Sequence, residues 1–243
     1  MRLDLALTKR GLARSRNQAA RLIQQGFVTV NGEAQTKPSH TVSESDVLET
    51  EMVPAVSRAG EKLAHALAEF DVQPTGVCLD IGASTGGFTE VLLGAGAERV
   101  VAIDVGHDQL APELKLDNRV VNVEGCNVRD LTLEQLKKIE PQRPRLVVVD
   151  LSFISLTLVA QKLMELAQGA EMVVLIKPQF ELSKEKLRAG VVKKDSDREL
   201  ARDRVLESFE SAGWVLNAVI SSPVLGTKGN AEYLAHLEPS TND

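Results

Sequence analysis

The chain has 243 residues, a formal net charge of −6 and a hydrophobic fraction of 43%. This length suits one or two domains, and the ordinary apolar content indicates a globular protein. The longest apolar runs, Leu146–Val149 and Met172–Ile176, are far too short to cross a bilayer, and the charged start M-R-L-D-L-A-L-T-K-R is unlike a secretion signal. The two cysteines lack metal-ligand spacing, so we expect reduced thiols, no metal site, no membrane partner and a cytoplasmic location.

Charge is distributed unevenly along the chain. Residues 1–40 contain seven lysines and arginines but only Asp4 and Glu33 as acids, which leaves the remainder strongly acidic. A basic segment on an acidic body is the asymmetry expected when one part of a protein holds a polyanion. The N-terminal segment is therefore a candidate nucleic-acid module.

The N-terminal pattern predicts two short helices and a hairpin. The first helix is expected to end near Gly11, and the second is capped by Ser15 and stopped by Gly26. Asn31-Gly32 between strand-like runs is a strong hairpin signal.

The stretch S-R-N-Q-A-A-R-L-I-Q-Q-G-F-V-T-V-N-G, residues 15–32, resembles the S4 RNA-binding module. That resemblance implies RNA contact through phosphates and shape rather than through base reading. A solvated basic helix without an RNA role is the alternative. The candidate RNA-binding residues are Arg2, Lys9, Arg10, Arg14, Arg16 and Arg21.

The sequence then predicts a linker and a second domain. Residues 51–56, with Pro54, are typical of a linker between an S4-like domain at 1–50 and a larger domain at 57–243. Ser57 can cap a helix that runs to Phe70 and carries Lys62.

The stretch V-C-L-D-I-G-A-S-T-G-G-F, residues 77–88, reads as a strand, a Gly-rich turn and a helix start. Ser84 breaks the dinucleotide fingerprint, and a Walker phosphate loop would need a terminal G-K-[ST] that is absent. The stretch fits the acidic-x-Gly loop of S-adenosylmethionine (SAM) enzymes, with Asp80 placed to take the amino group of the ligand. A Gly-rich turn without a ligand remains the alternative. The candidate cofactor residues here are Asp80, Gly82, Ser84, Thr85, Gly86, Gly87 and Phe88.

Further polar residues follow the next predicted strands. Asp104 ends the strand at 99–103 and lies 22 positions after Gly82, which makes it a candidate for binding ribose hydroxyls. Asn127, in a later loop, is a weaker candidate for contact with the adenine edge. Asp150 ends the strand at 146–149, and Lys177 ends the strand at 172–176. We therefore predict an α/β fold with a doubly wound, mostly parallel sheet and an antiparallel last strand. The carboxyl edge of this sheet is expected to gather Asp80, Asp104, Asp150 and Lys177.

The C-terminal region is predicted to close the sheet. A helix at 196–212 precedes two strands at 214–221 and 231–237, with Glu232 opening the second of them. The charged segment 182–195 is expected to be a mobile loop that faces the substrate.

Six blocks in fixed order resemble the TlyA family, which pairs an S4 module with an FtsJ-like ribose methyltransferase domain of Rossmann-like fold. The resemblance implies a Lys-Asp-Lys-Glu catalytic tetrad, matched here by Lys62, Asp150, Lys177 and Glu232, with Asp150 also near the cofactor. The departures are His107-Asp108 and Pro112, the latter expected to interrupt a helix. The blocks are S-R-A-G-E-K-L (57–63), D-I-G-A-S-T-G-G-F-T (80–89), D-V-G-H-D-Q-L (104–110), D-L-S-F-I-S-L (150–156), K-P-Q-F-E (177–181) and G-N-A-E-Y-L (229–234).

The resemblance implies SAM-dependent 2′-O-methylation of cytidine in rRNA, with ribosomal subunits as partners. Lys177 is the candidate base, with its pKa lowered by burial or by the like charge of Lys62. Asp150 is expected to orient Lys177, and Glu232 to position Lys62 and the sugar. Two ion pairs with a purely structural role are the alternative.

Three other functions remain open at this stage. The family's older name suggests a membrane-active haemolysin, which would need a long apolar or amphipathic segment. An RNA-binding assembly factor with an inactive methyltransferase fold and a small-molecule methyltransferase are the others. The complete tetrad argues against an inactive assembly factor. The basic N-terminal module argues against a small-molecule methyltransferase.

Overall fold

The computed structural model describes residues 1–13, 16–24, 26–50 and 58–240, and for Asn17, Gln18 and Arg21 it describes the backbone alone. The predictions made for Arg14, the Ser15 and Ser57 caps, the Arg21 side chain and the linker at 51–56 therefore lie outside the described residues. The chain forms two compact units, Met1–Pro54 and Ala55–Asp243. The boundaries 1–50, 51–56 and 57–243 stay a prediction.

The first unit contains two helices and a small antiparallel sheet in the order β2-β1-β3. Asn31 and Gly32 have φ of 54° and 83°, the left-handed conformation that a two-residue hairpin turn requires, so the predicted hairpin is confirmed. The third strand was not predicted, and its last residue is Thr50. The elements are α1 (Leu3–Lys9), α2 (Arg16–Gln24), β1 (Val28–Val30), β2 (Glu33–Ala34) and β3 (Leu48–Thr50).

The second unit is a sheet of seven strands in the order β11-β12-β8-β7-β4-β5-β6, with a separate small hairpin. Six strands of the large sheet run in one direction and β12 runs against them, which confirms the predicted doubly wound, mostly parallel sheet. The elements are α3 (Arg58–Glu69), β4 (Val77–Ile81), α4 (Gly87–Gly94), β5 (Arg99–Ile103), α5 (Pro112–Lys115), β6 (Val120–Val123), α6 (Leu133–Ile139), β7 (Leu146–Val149), α7 (Ala160–Ala167), β8 (Glu171–Ile176), α8 (Pro178–Glu181), β9 (Leu187–Arg188), β10 (Val191–Val192), α9 (Asp195–Ser211), β11 (Trp214–Ser221) and β12 (Tyr233–Pro239).

Helices cover both faces of the large sheet, so its central strands are buried on both sides. In β4, Leu79 and Ile81 pack towards α6, α7 and α9, whereas Cys78 packs towards α3 and α4. Asp80 shares the face of Cys78, because side chains alternate along a strand. Burial raises the pKa of the Cys78 thiol to about 12, which makes it an unreactive core residue.

Three local predictions differ from the structure. The segment 182–195 is not a plain loop, because β9 and β10 pair in a hairpin whose turn residues Ala189 and Gly190 have φ of 53° and 80°. Pro112 does not interrupt a helix but begins α5, where its missing N–H has no intrahelical partner to lose. The last strand begins at Tyr233, so Glu232 lies just before it.

Candidate active site

A cleft of about 380 Å³ opens at the carboxyl edge of the large sheet. Its lining comes from the start of α3, the Gly-rich turn after β4, and the segments that follow β7, β8 and β11. All four predicted tetrad residues lie in it, together with the turn predicted to bind the cofactor. The lining residues are Arg58, Ala59, Lys62, Gly82, Ala83, Ser84, Thr85, Gly87, Phe88, Asp150, Ser152, Lys177, Leu225, Gly226, Thr227 and Glu232.

The tetrad forms two ion pairs. Lys62 Nζ lies 2.5 Å from Glu232 Oε2, and both side chains are buried, with 8% and 2% of their surface exposed. Lys177 Nζ lies 2.5 Å from Asp150 Oδ1 and also donates a hydrogen bond of 2.7 Å to Ser152 Oγ. Each ammonium in the cleft is thus matched with a carboxylate.

Strand order and register explain why residues so distant in sequence meet here. β7 and β8 are parallel neighbours, so Asp150 and Lys177, which follow them, emerge side by side. β12 is antiparallel to β8 and pairs Tyr233 with Ile176, so Glu232 reaches the same edge from the opposite direction. A parallel final strand would have placed Glu232 at the far end of the sheet.

Two residues that the sequence did not single out fix the Glu232 carboxylate. Gln179 Nε2 donates to Glu232 Oε1 over 3.1 Å. A Cβ added to Gly226 would lie 1.9 Å from the same oxygen, so only glycine allows the backbone to approach it this closely. Gln179 lies within the K-P-Q-F-E block, which was the available signal for it.

Asp80 is wholly buried beneath the Gly-rich turn. Thr89 Oγ1 donates to one carboxylate oxygen over 2.6 Å, while the other oxygen has no hydrogen-bond partner in the described part of the chain. Burial raises the pKa of Asp80 to about 7, with a further contribution from nearby Asp150. A buried carboxylate with a vacant acceptor position fits the ammonium group of SAM.

Two glycines of the turn are required by the protein itself. Gly82 has φ of 92°, and a Cβ there would lie 2.4 Å from the Asp150 carbonyl oxygen. Gly86 also has φ of 92°, and a Cβ there would lie 2.2 Å from Leu114 Cδ1. The space that these glycines leave is thus filled by neighbouring chain segments, not kept for a ligand.

Of the cofactor candidates, Asp80, Gly86, Asp104 and Asn127 are not among the residues that line this cleft. Asp104 accepts backbone N–H groups of Ser84 at 2.8 Å and of Gly106 at 2.7 Å, so its carboxylate holds the turn in place. Asn127 lines a separate cavity of about 500 Å³ with Cys126, and its side-chain oxygen accepts the backbone N–H of Arg129 at 3.1 Å. Asn127 therefore borders a different cavity from the cleft that contains the predicted tetrad.

An exposed aromatic residue beside the cleft was missed by the sequence reading. Phe153 follows Ser152, has 91% of its surface exposed and adopts φ of 65°, a conformation uncommon for a non-glycine residue. Its ring contacts the ring of Phe180 at 5.1 Å, and Lys177 Nζ lies 5.9 Å from the Phe180 centroid. Its position within the D-L-S-F-I-S-L block was the available signal for it.

In the described part of the first unit, the candidate RNA-binding residues Arg2, Arg10 and Arg16 hold internal contacts. Arg2 and Arg16 both contact the buried carboxylate of Asp4, at 3.0 and 3.1 Å, and the hydrogen bond from Arg2 is the main reason that the pKa of Asp4 falls to about 2. Arg10 donates to backbone carbonyls of residues 43–46, including Asp46 at 2.5 Å. Lys9 is exposed on the same helix end.

The candidate arginines keep access to solvent despite these contacts. The side chains of Arg2 and Arg16 are 52% and 58% exposed. Part of each guanidinium therefore remains accessible to a phosphate group, and the contact with Asp4 fixes where it points.

Comparison with known proteins matches both units. The FtsJ-like methyltransferase family matches residues 55–238, and the S4 domain matches residues 1–48. "Hemolysin A" of Brachyspira hyodysenteriae is 41% identical, over 98% of this chain and 99% of the relative. The "16S/23S rRNA (cytidine-2'-O)-methyltransferase TlyA" of Mycobacterium tuberculosis is 45% identical, over 99% of this chain and 91% of the relative.

A solved structure covers the whole chain. This protein from Streptococcus thermophilus, described as a candidate hemolysin, is 37% identical with a TM-score of 0.74, over 100% of this chain and 89% of its own. Among the helices described, none is long and apolar enough to cross a membrane.

The buried pair makes a prediction for stability. Lys62→Met or Glu232→Gln alone is expected to lower the free energy of unfolding by about 3–5 kcal/mol, because each leaves an uncompensated charge or acceptor in the interior. The double variant is expected to cost less than the sum of the two. Denaturant unfolding in a double-mutant cycle measures this coupling.

The exposed pair Lys162–Glu165, at 2.7 Å, is the matched control. Its coupling is expected to be about 0.2–1 kcal/mol, because solvent screens it. Equal coupling for the two pairs would show that burial of Lys62 and Glu232 carries no energetic consequence.

Proposed function

Because the chain belongs to the TlyA family of SAM-dependent, FtsJ-like methyltransferases, we propose that it methylates a ribose 2′-hydroxyl of rRNA. The observation that carries this proposal is the convergence of two lysine–carboxylate pairs beside the Gly-rich turn in one cleft. The name of the Mycobacterium tuberculosis relative favours cytidine as the nucleotide and rRNA of both subunits as the substrate. Intact ribosomal subunits in the cytoplasm are the proposed partner.

The cofactor residues are proposed from the polarity of the site. SAM supplies an electrophilic methyl group on a sulfonium. The vacant oxygen of Asp80 would accept a hydrogen bond from its ammonium group, and the backbone of the turn at 82–88 would lie against it. Asp104 would bind ribose hydroxyls and Asn127 the adenine edge, which requires a ligand that bridges both cavities.

Lys177 is the proposed base. When the ribose oxygen bonds to the methyl carbon and the carbon–sulfur bond breaks, the hydroxyl proton passes to Lys177 Nζ, which must be in its neutral form to accept it. Asp150 at 2.5 Å and Ser152 at 2.7 Å fix the position of that nitrogen. Such fixed placement of the reacting groups lowers the entropic part of the barrier.

Lys62 and Glu232 are proposed to position the sugar. Their contact of 2.5 Å compensates the Lys62 charge locally, so Lys62 acts on the substrate as a hydrogen-bond donor more than as a free cation. Gln179 and Gly226 hold the Glu232 carboxylate in the orientation that maintains this contact.

Phe153 is proposed to stack on the base of the target nucleotide. An enzyme that reaches a ribose in structured RNA needs that nucleotide displaced from its neighbours, and an exposed aromatic face stabilises an unstacked base. The Phe180 ring at 5.1 Å supports Phe153 in its strained conformation. The S4 unit would hold more distant rRNA through phosphates, by way of Arg2, Lys9, Arg10 and Arg16, together with Arg14 and Arg21.

Labelled SAM tests the function directly. Incubation of the protein with separated small and large ribosomal subunits, followed by mapping of the label, is expected to show 2′-O-methylcytidine in rRNA. Label in neither rRNA, with SAM bound normally, would overturn the proposal.

The assignment of the base makes a second prediction. Lys177→Met is expected to slow methyl transfer by about 10²-fold or more, because no group remains to accept the hydroxyl proton. SAM affinity, measured by calorimetry, is expected to stay within twofold. Lys137→Met, on the exposed face of α6, is the control. Normal methyl transfer by Lys177→Met would show that another group is the base.

Asp80 makes SAM affinity dependent on pH. Its pKa of about 7 in the free protein means that the carboxylate which attracts an ammonium group is present above pH 7 and is lost as the pH falls through 7. Affinity is expected to rise about tenfold between about pH 6 and about pH 8, following the ionised fraction. Calorimetry at several pH values measures this rise.

Asp80→Asn is expected to weaken SAM binding and to remove this rise. Asp203→Asn, at an exposed position on α9, is expected to leave both unchanged. A pH profile that is identical in Asp80→Asn and the original protein would exclude Asp80 as the ammonium partner.

The stacking role of Phe153 makes a further prediction. Phe153→Ala is expected to raise the KM for the RNA substrate by about tenfold, in line with about 1–3 kcal/mol for stacking of one base, while SAM affinity holds. Phe153→Tyr is expected to keep a KM near the original. Leu158→Ala is the control, at a site that is 67% exposed on the following 3₁₀ turn. If Leu158→Ala raises the KM for RNA as much as Phe153→Ala does, a specific aromatic contact is refuted.

A further inference from the structure

We propose that the β9–β10 hairpin, with Lys228 beside its turn, is a second RNA-binding surface that holds the phosphates flanking the target nucleotide. This inference rests on the proposed function, because it requires an RNA strand in the cleft. The surface consists of Lys184, Arg188, Lys193, Lys194 and Lys228, and we call it the hairpin surface.

The hairpin is anchored on one side and exposed on the other. Val191 and Val192 are 8% and 1% exposed and fix the hairpin to the second unit, with contacts to α8 and α9. The five basic residues of the hairpin surface are all exposed. The arrangement presents a set of cations to solvent on an anchored backbone.

These cations are not used in ion pairs. Lys186, in the same segment, is paired with Asp197 at 2.6 Å, but no carboxylate pairs with the five residues of the hairpin surface within the described ranges of the chain. Other basic residues of this unit, such as Lys115 and Arg119, do have acidic partners. Unpaired like charges repel one another, so their concentration at one place on an acidic domain indicates a polyanionic ligand.

The hairpin is tied to the catalytic cleft by Asn230. This buried side chain donates to the Gly190 carbonyl at 3.0 Å and accepts the Val192 N–H at 3.1 Å. Asn230 is two residues before Glu232, and it also donates to the carbonyl of Thr227, which lines the cleft. The hairpin surface therefore has a fixed position relative to the Lys62–Glu232 pair.

Lys228 extends the same surface. Its backbone has φ of 60°, and its Nζ lies 3.3 Å from the position of a Cβ built on Gly190. The ammonium group thus lies close to the hairpin turn at Gly190, and Lys228 adopts a backbone conformation that a lysine seldom adopts. A strained backbone that places a cation beside the hairpin turn is consistent with ligand binding.

The chemistry of the substrate favours phosphate as the occupant. An RNA chain that places a ribose hydroxyl at Lys177 carries a phosphate on each side of that ribose, within reach of long basic side chains around the cleft. Contacts of this kind fix register and orientation without reading the base sequence. The hairpin surface would thereby set which nucleotide of a strand enters the cleft, while the S4 unit supplies remote affinity.

Neutralising two hairpin cations tests the proposal. Arg188→Gln/Lys193→Gln is expected to raise the KM for ribosomal subunits about tenfold with little change in kcat. The reason is that phosphate contacts of this kind stabilise the bound substrate and the transition state equally. The slope of log affinity against log salt is expected to become shallower by about one to two, matching two lost phosphate contacts. SAM affinity and melting temperature are expected to be unchanged, which verifies folding.

Arg143→Gln/Arg145→Gln is the matched control, since it removes two exposed arginines that precede β7 at the opposite end of the sheet. It is expected to change neither KM nor the salt slope. Lys228→Gly, which removes a third cation and suits φ of 60°, is expected to weaken binding about threefold.

Three outcomes would overturn the inference. If the original protein methylates rRNA but the hairpin variant matches the control variant, the hairpin surface is not an RNA contact and the proposed function stands. If the variant loses affinity for subunits but not for protein-free rRNA, the surface binds a ribosomal protein. If the original protein transfers no methyl group to rRNA, the proposed function fails and this inference fails with it.

Discussion

The pairing of antiparallel β12 with β8 is the constraint on which the site depends. Because Tyr233 lies opposite Ile176, the carboxylate of Glu232 enters the same sheet edge from which Asp150 and Lys177 emerge. The Lys62–Glu232 contact of 2.5 Å then joins α3 to this edge, and Asn230 joins the β9–β10 hairpin to it. Four segments widely separated in sequence are fixed around one cleft by strand direction and register.

The charged side chains of the molecule differ in whether an oppositely charged group lies beside them. Inside the cleft both lysines face carboxylates at 2.5 Å, and in the first unit Asp4 draws Arg2 and Arg16 together. Asp80 has no cation of this kind, and burial raises its pKa to about 7. A position that lacks compensation inside a folded protein is where a charged ligand gains most. The cations of the hairpin surface also lack carboxylate partners within the described residues, but they are exposed to solvent.

Periodicity and turn chemistry predicted most of the fold. The strand at 146–149 and the hairpin at Asn31-Gly32 were placed correctly, because buried apolar runs and an Asn-Gly turn are local properties. The short strand β3 and the β9–β10 hairpin were missed, because strands of two or three residues are too short to show an alternating pattern in the sequence. Pro112 was read as an interruption, although proline is also favoured at a first helical position.

The sequence by itself, through its resemblance to a family, predicted the four candidate tetrad residues, and it predicted the strand ends that carry three of them. It determined also that a basic segment precedes an acidic domain. Only the tertiary structure decided which lysine contacts which carboxylate, that Gly226 and Gln179 hold Glu232, and that Phe153 is exposed in a strained conformation. The reason is physical: turn signals and strand ends depend on neighbouring residues, whereas ion pairing, close approach and burial depend on the three-dimensional distances that strand register sets.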